Sequence, residues 1–230
     1  MKVVVSIGGS VLAPDLDPER VRAYAGVVES LLAAGHRVGV VVGGGTVARD
    51  YIASARELGA NEMQLDQLGI GVTRLNARLL IAALGEAAAP TPPETYEDAG
   101  AAFHRGDVPV MGGVAAAQTT DAVSAALAEY VNADLLVYAT SVPGVFSADP
   151  NEHDDATKYT ELSADELVDV IADIEMAAGS NAPVDLLAAK LIQRANLRAV
   201  VLDGTDPEAV ERAILDDDHD GTEVVPGDGA

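Results

Sequence analysis

Three glycine clusters carry the first chemical signal in this chain. Gly8-Gly9-Ser10, Gly43-Gly44-Gly45 and Gly112-Gly113 follow the short apolar runs Val3-Val4-Val5, Val38–Val42 and Val108–Met111. Glycine lets a backbone approach a ligand closely, and a helix starting behind it aims free N–H groups and a partial positive charge at anions. One such loop can be turn geometry alone; three on one edge of one sheet read as a polyphosphate site. Arg49 lies four residues beyond Gly45, on the first turn of the following helix, where its guanidinium can hold a phosphate through two hydrogen bonds. A surface carboxylate is the other partner open to it. Thr119-Thr120-Asp121 opens the helical stretch Ala122–Val131, so one threonine suits the N-cap and leaves the second hydroxyl facing the crevice. Asp66 is a charge within an apolar helical stretch. It either sits on an exposed face or accepts hydrogen bonds from a sugar hydroxyl.

Other chemistries are excluded by what is missing. The chain has no cysteine, which removes thiolate catalysis, thiolate metal sites and disulfides. No Walker-type phosphate loop is present. Gly69-Ile70-Gly71 begins like a dinucleotide fingerprint, but Arg74 stands where the third glycine belongs and the segment has helical spacing. His36, His104, His153 and His219 are scattered and read as surface residues, which leaves zinc sites and serine triads without support.

The elements that must position these residues alternate between strand and helix. Besides the three runs above, Leu135–Ala139 and Ala199–Leu202 read as strands buried on both faces. Helices are expected over Pro18–Ala34, Thr46–Leu58, Glu62–Leu84, Thr119–Val131, Ala164–Ile174, Asp185–Asn196 and Pro207–Leu215. The fold class is α/β with a mainly parallel sheet. Ala87–Thr95, with three of the 11 prolines, reads as a surface crossover. The chain reads as a single domain of two lobes, an N-terminal one over about 1–135 and a C-terminal one over about 136–225, with the polar, turn-rich loop Phe146–Tyr159 near their boundary. The acidic run Asp216–Asp220 reads as solvated, and residues 226–230 as a frayed tail.

Fourteen basic residues face 37 acidic ones, for a net charge of -23. Such a surface repels nucleic acid and anionic membranes. With 49% hydrophobic residues the chain is nonetheless a folding one. The balance fits a protein from a high-salt cytoplasm, where molar salt shortens the Debye length to about 3 Å and screens self-repulsion. The first residues are too short an apolar run for a signal-peptide core or a bilayer span.

The motifs together resemble a known family. IGGSV near the N-terminus, VVVGGGTVARDYI, PVMGG followed by TTDAV, and the pattern of Thr140–Pro150 are similar to those of the amino acid kinase superfamily, within it the archaeal uridylate kinases. The resemblance runs from Lys2 to about Val225. It implies a three-layer α/β/α sandwich, a homohexamer, and transfer of the γ-phosphoryl of ATP to UMP with Mg2+. It implies, further, that Gly9, Ser10, Gly45 and Arg49 contact the ATP phosphates, with Arg49, Gly9 and Ser10 as the catalytic set. Thr140, Phe146 and Asp149 would line the adenosine pocket. Gly44 and Asp66 would hold UMP, and Val114, Ala115, Ala116, Ala117, Gln118, Thr119 and Thr120 would wrap its phosphate and uracil. No protein metal ligand is implied.

The chain departs from the family pattern at several positions. Ser6 stands where many members carry lysine before the first glycines, and Lys2 lies roughly 13 Å upstream along an extended strand. The loop Val114–Gln118 lacks the usual Pro-Gly. Ser141, Pro143 and Phe146 replace an Asn, an Asp and a Tyr. Sister kinases acting on carbamate, an acylated amino acid or isopentenyl phosphate share the fold, as does a non-catalytic nucleotide or oxyanion store. The isopentenyl phosphate enzymes are expected to carry a histidine after the second glycine loop, and Thr46–Tyr51 has none.

Overall fold

The computed structural model describes residues 1–227 except 149, 151, 152, 154 and 177–182. Seven strands form one sheet: β1 (Lys2–Ile7), β2 (Arg37–Val42), β3 (Val110–Met111), β4 (Leu135–Thr140), β5 (Glu161–Ser163), β6 (Ala199–Asp203) and β7 (Thr222–Val225), in the order β3-β2-β1-β4-β6-β7-β5. Every pairing is parallel except β6 with β7. The five strands from β3 to β6 therefore all point their carboxyl ends at one edge. Register matters there: Ile7 pairs with Val42 and with Ala139, so the loops leaving β1, β2 and β4 emerge side by side.

Helices cover both faces, as the unbroken apolar strands require. One face packs Val3, Val5, Ile7, Val40 and Val137 against α1 (Gly9–Leu12), α2 (Pro18–Ala33), α4 (Glu62–Leu84) and α9 (Pro207–Leu215). The alternate residues Val4, Val41, Leu136 and Tyr138 pack on the other face against α5 (Tyr96–Arg105), α6 (Thr120–Val131), α7 (Ala164–Met176) and α8 (Leu186–Ala195). The result is an α/β/α sandwich, with α3 (Gly45–Glu57) lying on α4. By length and composition α4 could cross a bilayer. Here Leu65, Ile70, Ala77, Leu80 and Leu84 bury one side of it in the core, while Met63, Leu68, Leu75 and Leu79 stay exposed on the other.

Most expected elements appear within a residue or two of their expected ends. Helix α5 is not among the expected elements, although Thr95 caps it by accepting from the Asp98 N–H and Gly106 ends it at φ 99°. Neither are β5 and β7. The strand expected over 108–111 shrinks to two residues, because Pro109 has no N–H for the ladder; only its carbonyl bonds, to Val40 N–H. The crossover over 87–95 is not wholly a surface feature: Ala88, Ala89, Pro92 and Pro93 are buried, and Ala88 bridges Val108. Asp216, Asp217, Asp218 and Asp220 are exposed as expected, while His219 is half-buried with its Nδ1 enclosed and unpartnered. Residues 228–230 lie outside the described residues.

Candidate active site

The first two glycine loops touch backbone to backbone. A Cβ built on Gly9 would lie 2.2 Å from the Gly45 nitrogen and 2.5 Å from the Gly43 oxygen, and one on Gly43 would lie 2.6 Å from the Gly9 nitrogen. No side chain fits between them, so any substitution at Gly9 drives the loops apart. Gly45 has φ 64°, a left-handed conformation that a side chain would strain, and from it α3 begins. The first N–H groups of α3 have no intrahelical partner, which makes this edge suited to phosphate oxygens.

Arg49 is the cation of this edge. Its Nη2 reaches the Ser10 hydroxyl at 3.3 Å and the Thr46 hydroxyl at 3.1 Å. Among the described residues it forms no ion pair, whereas Arg22, Arg56, Arg74, Arg105, Arg194, Arg198 and Arg212 each pair with a carboxylate. Of the two partners open to Arg49 in the sequence, the carboxylate is absent. An exposed guanidinium held across Ser10 and Thr46 is left to face an anion.

The third loop closes the edge from the other side. Asp66 is half-buried on α4, and its Oδ2 accepts from the Ala117 N–H at 2.8 Å. Ala117 itself sits at φ 65°. Asp66 is thus neither a plain surface charge nor, in this structure, free on both oxygens: it ties α4 to the loop expected to wrap the acceptor. Within that loop Gln118 N–H bonds the Ala115 carbonyl, and the Tyr96 hydroxyl reaches Gln118 Oε1 at 3.4 Å. Val114 and Ala116 are half-buried, whereas Ala115, Ala117, Gln118 and Thr119 are exposed. Thr119 is the N-cap of α6, accepting from the Ala122 N–H, and Thr120 is the first helical residue.

Thr119 also donates to Asp185, which caps α8 by accepting from the Ala188 N–H. Asp121, on the first turn of α6, is pushed up to about 7, first by burial and then by the charge of Asp185. The Tyr138 hydroxyl donates to the Asp121 carbonyl, and its own ionisation is suppressed, mainly by burial. This acidic pair was not singled out in the sequence; Asp121 and Asp185 read there only as helix starts.

The expected adenosine side is less fully assembled. Thr140 ends β4, and its hydroxyl folds back to bond both the N–H and the carbonyl of Val142. Phe146 is half-buried and bridges Lys158. Asp149 lies outside the described residues. Ser6 is buried in β1 beside Tyr138, and no lysine side chain occupies its place. Among the described residues no group of three or more His, Asp or Glu is arranged to hold a metal.

The sequence model of the amino acid kinase family matches residues 1–203. The uridylate kinase of Haloarcula marismortui is 71% identical over 226 residues, 98% of this chain and 99% of its own. That of Halobacterium salinarum strain R1 is 69% identical, over 98% of this chain and 94% of its own. The crystal structure of uridylate kinase from Archaeoglobus fulgidus superposes with a TM-score of 0.88 at 44% identity, covering 98% of this chain and all of that one (100%). The chain belongs to the amino acid kinase family, in its uridylate kinase branch.

Proposed function

We propose that this protein transfers the γ-phosphoryl group of Mg·ATP directly to UMP, giving UDP and ADP. The observation that carries phosphoryl transfer is the backbone-on-backbone packing of Gly9 and Gly45 beside an Arg49 that has no carboxylate partner among the described residues. UMP as acceptor rests on the kinship along nearly the whole chain.

In this mechanism the loop amides of Gly9, Ser10 and Gly45 hold the donor phosphates, and Arg49 meets the charge that spreads over the transferring oxygens. Gly44, Asp66 and the loop Val114–Thr120 hold UMP, its phosphate set in line with the γ-phosphorus. That phosphate is already an anionic nucleophile, so no residue need remove a proton, and no phospho-enzyme forms. Thr140, Phe146 and Asp149 line the adenosine pocket. Magnesium, bound to ATP as the Mg·ATP substrate, would supply neutralisation of phosphate charge.

The exposed apolar residues of α3, of its C-cap Leu58 and of α4 support a homo-oligomer, expected as a hexamer. Leu58 is 88% exposed, Met63 61%, Leu75 60% and Tyr51 56%. In a chain of net charge -23 such a patch is an association surface. On this reading the enzyme works in the cytoplasm of a salt-adapted cell, alongside its nucleotides.

The test is ADP release from Mg·ATP in molar KCl with UMP, CMP, carbamate, acetylglutamate or isopentenyl phosphate supplied singly. Turnover confined to UMP supports the assignment. Turnover with another acceptor replaces it.

A further inference from the structure

Thr73 and Asn76 are polar residues buried one turn apart on α4, and both bond the glycine loops. The Thr73 hydroxyl donates to the Ile70 carbonyl at 2.7 Å and accepts from the Gly113 N–H at 2.7 Å. With its one proton committed inside the helix, it can offer Gly113 only a lone pair. Its methyl faces the other way, and a Cβ on Gly44 would lie 3.5 Å from it. Asn76 Nδ2 donates to the Gly43 carbonyl at 2.9 Å and to the Gly44 carbonyl at 3.3 Å. The third loop presses close as well: a Cβ on Gly112 would lie 2.5 Å from Thr73 Oγ1 and 2.7 Å from the Arg74 nitrogen. One stretch of helix thus holds the second loop by two carbonyls and the third by an amide. Neither residue is charged, and both are buried, so their action on the phosphates is through the loops.

We propose that Thr73 and Asn76 form a spacer that fixes the separation of the second and third glycine loops, and hence of the reacting phosphates. They are positioning residues for phosphoryl transfer, an inference that rests on the phosphotransferase reading. Most of each substrate's binding energy is gathered away from the spacer, the donor phosphates at Gly9, Ser10 and Gly45 and UMP chiefly at Asp66 and Val114–Thr120. The rate depends instead on the approach of the reacting atoms, where a misplacement of about 1 Å costs about 10²-fold. A loosened spacer should therefore lower kcat while leaving each KM nearly unchanged.

Thr73→Val keeps the shape and removes the hydroxyl; Thr73→Ser keeps the hydroxyl. Both are assayed with whichever acceptor the wild type phosphorylates, so a wrong acceptor shows in the wild type and a wrong spacer only in the variants. The expected result is a kcat about 10- to 100-fold lower for Thr73→Val, with each KM within about threefold and Thr73→Ser close to wild type. Asn76→Ala applies the same test from the second loop if Thr73→Val does not fold. A second readout needs no turnover. Adenosine and uridine joined 5′ to 5′ through five phosphates should bind Thr73→Val about tenfold more weakly than wild type, with ATP and UMP alone unaffected. Unchanged kcat in the folded variants, a rise in KM alone, or equal losses for Thr73→Ser and Thr73→Val would overturn the proposal.

Discussion

The Thr119 hydroxyl donates to the Asp185 carboxylate, so the residues capping α6 and α8 are bonded to each other across 66 positions of sequence. Asp185 spends its other oxygen on the Ala188 N–H. The link fastens the end of the acceptor loop to the helix that follows the 177–182 stretch, and it keeps an acidic group beside Asp121.

That proximity has a pH signature. Asp121 is raised from an ordinary value of about 3.9 to about 7 in the fold. Between those values the folded chain holds a proton that the unfolded chain has released. The contribution of Asp121 is thus fully present below the unfolded value and is lost as pH rises through about 7. Melting temperatures in molar KCl should fall from about pH 5 to about pH 8 more steeply in wild type than in Asp121→Asn. Parallel curves would remove Asp121 as the source.

Arg49 should matter to turnover and little to folding. Among the described residues its side chain bonds two hydroxyls at an exposed site. Arg49→Ala should lower kcat by about 10²- to 10³-fold, the usual cost of losing one group that meets transition-state charge. The melting temperature should stay near that of wild type. Wild-type kcat in the variant would take Arg49 out of the mechanism.

Ala117 holds a left-handed φ of 65° in the acceptor loop. Glycine there relieves the clash of Cβ with the backbone but adds freedom to the unfolded chain, so Ala117→Gly should stabilise by a net ~0.5–1 kcal/mol. Chemical denaturation reads this directly. A loss of stability would show that the Asp66 bond depends on the alanine.

The net charge of -23 sets the salt response. Repulsion among 37 carboxylates weakens as the Debye length shrinks to about 3 Å in molar salt. The melting temperature should climb steadily from low to molar KCl. A flat profile would contradict salt adaptation.

The strand–glycine–helix junctions were legible in the sequence because three apolar runs each end in glycine, and spacing alone put Arg49 near the start of the helix behind the second. Thr119 was legible as one of two candidate caps. Its partner was not, since nothing local in Thr119 or Asp185 reports that their helices meet. The strands β5 and β7, three and four residues long, offered too little apolar pattern to register. Helix α5 carried a cap at Thr95 and a stop at Gly106, but the prolines just before it masked the signal. Thr73 and Asn76 were not among the candidate residues, since the loops they bond lie 33 and 40 positions away and only the fold brings them together.

The most direct test of phosphoryl transfer to UMP uses ATP labelled at the γ-phosphorus, incubated with UMP and magnesium in molar KCl. The label should appear in the β-phosphoryl group of UDP, with none retained on the protein. Label found on the protein, or released only as inorganic phosphate, would contradict a direct transfer between the two nucleotides.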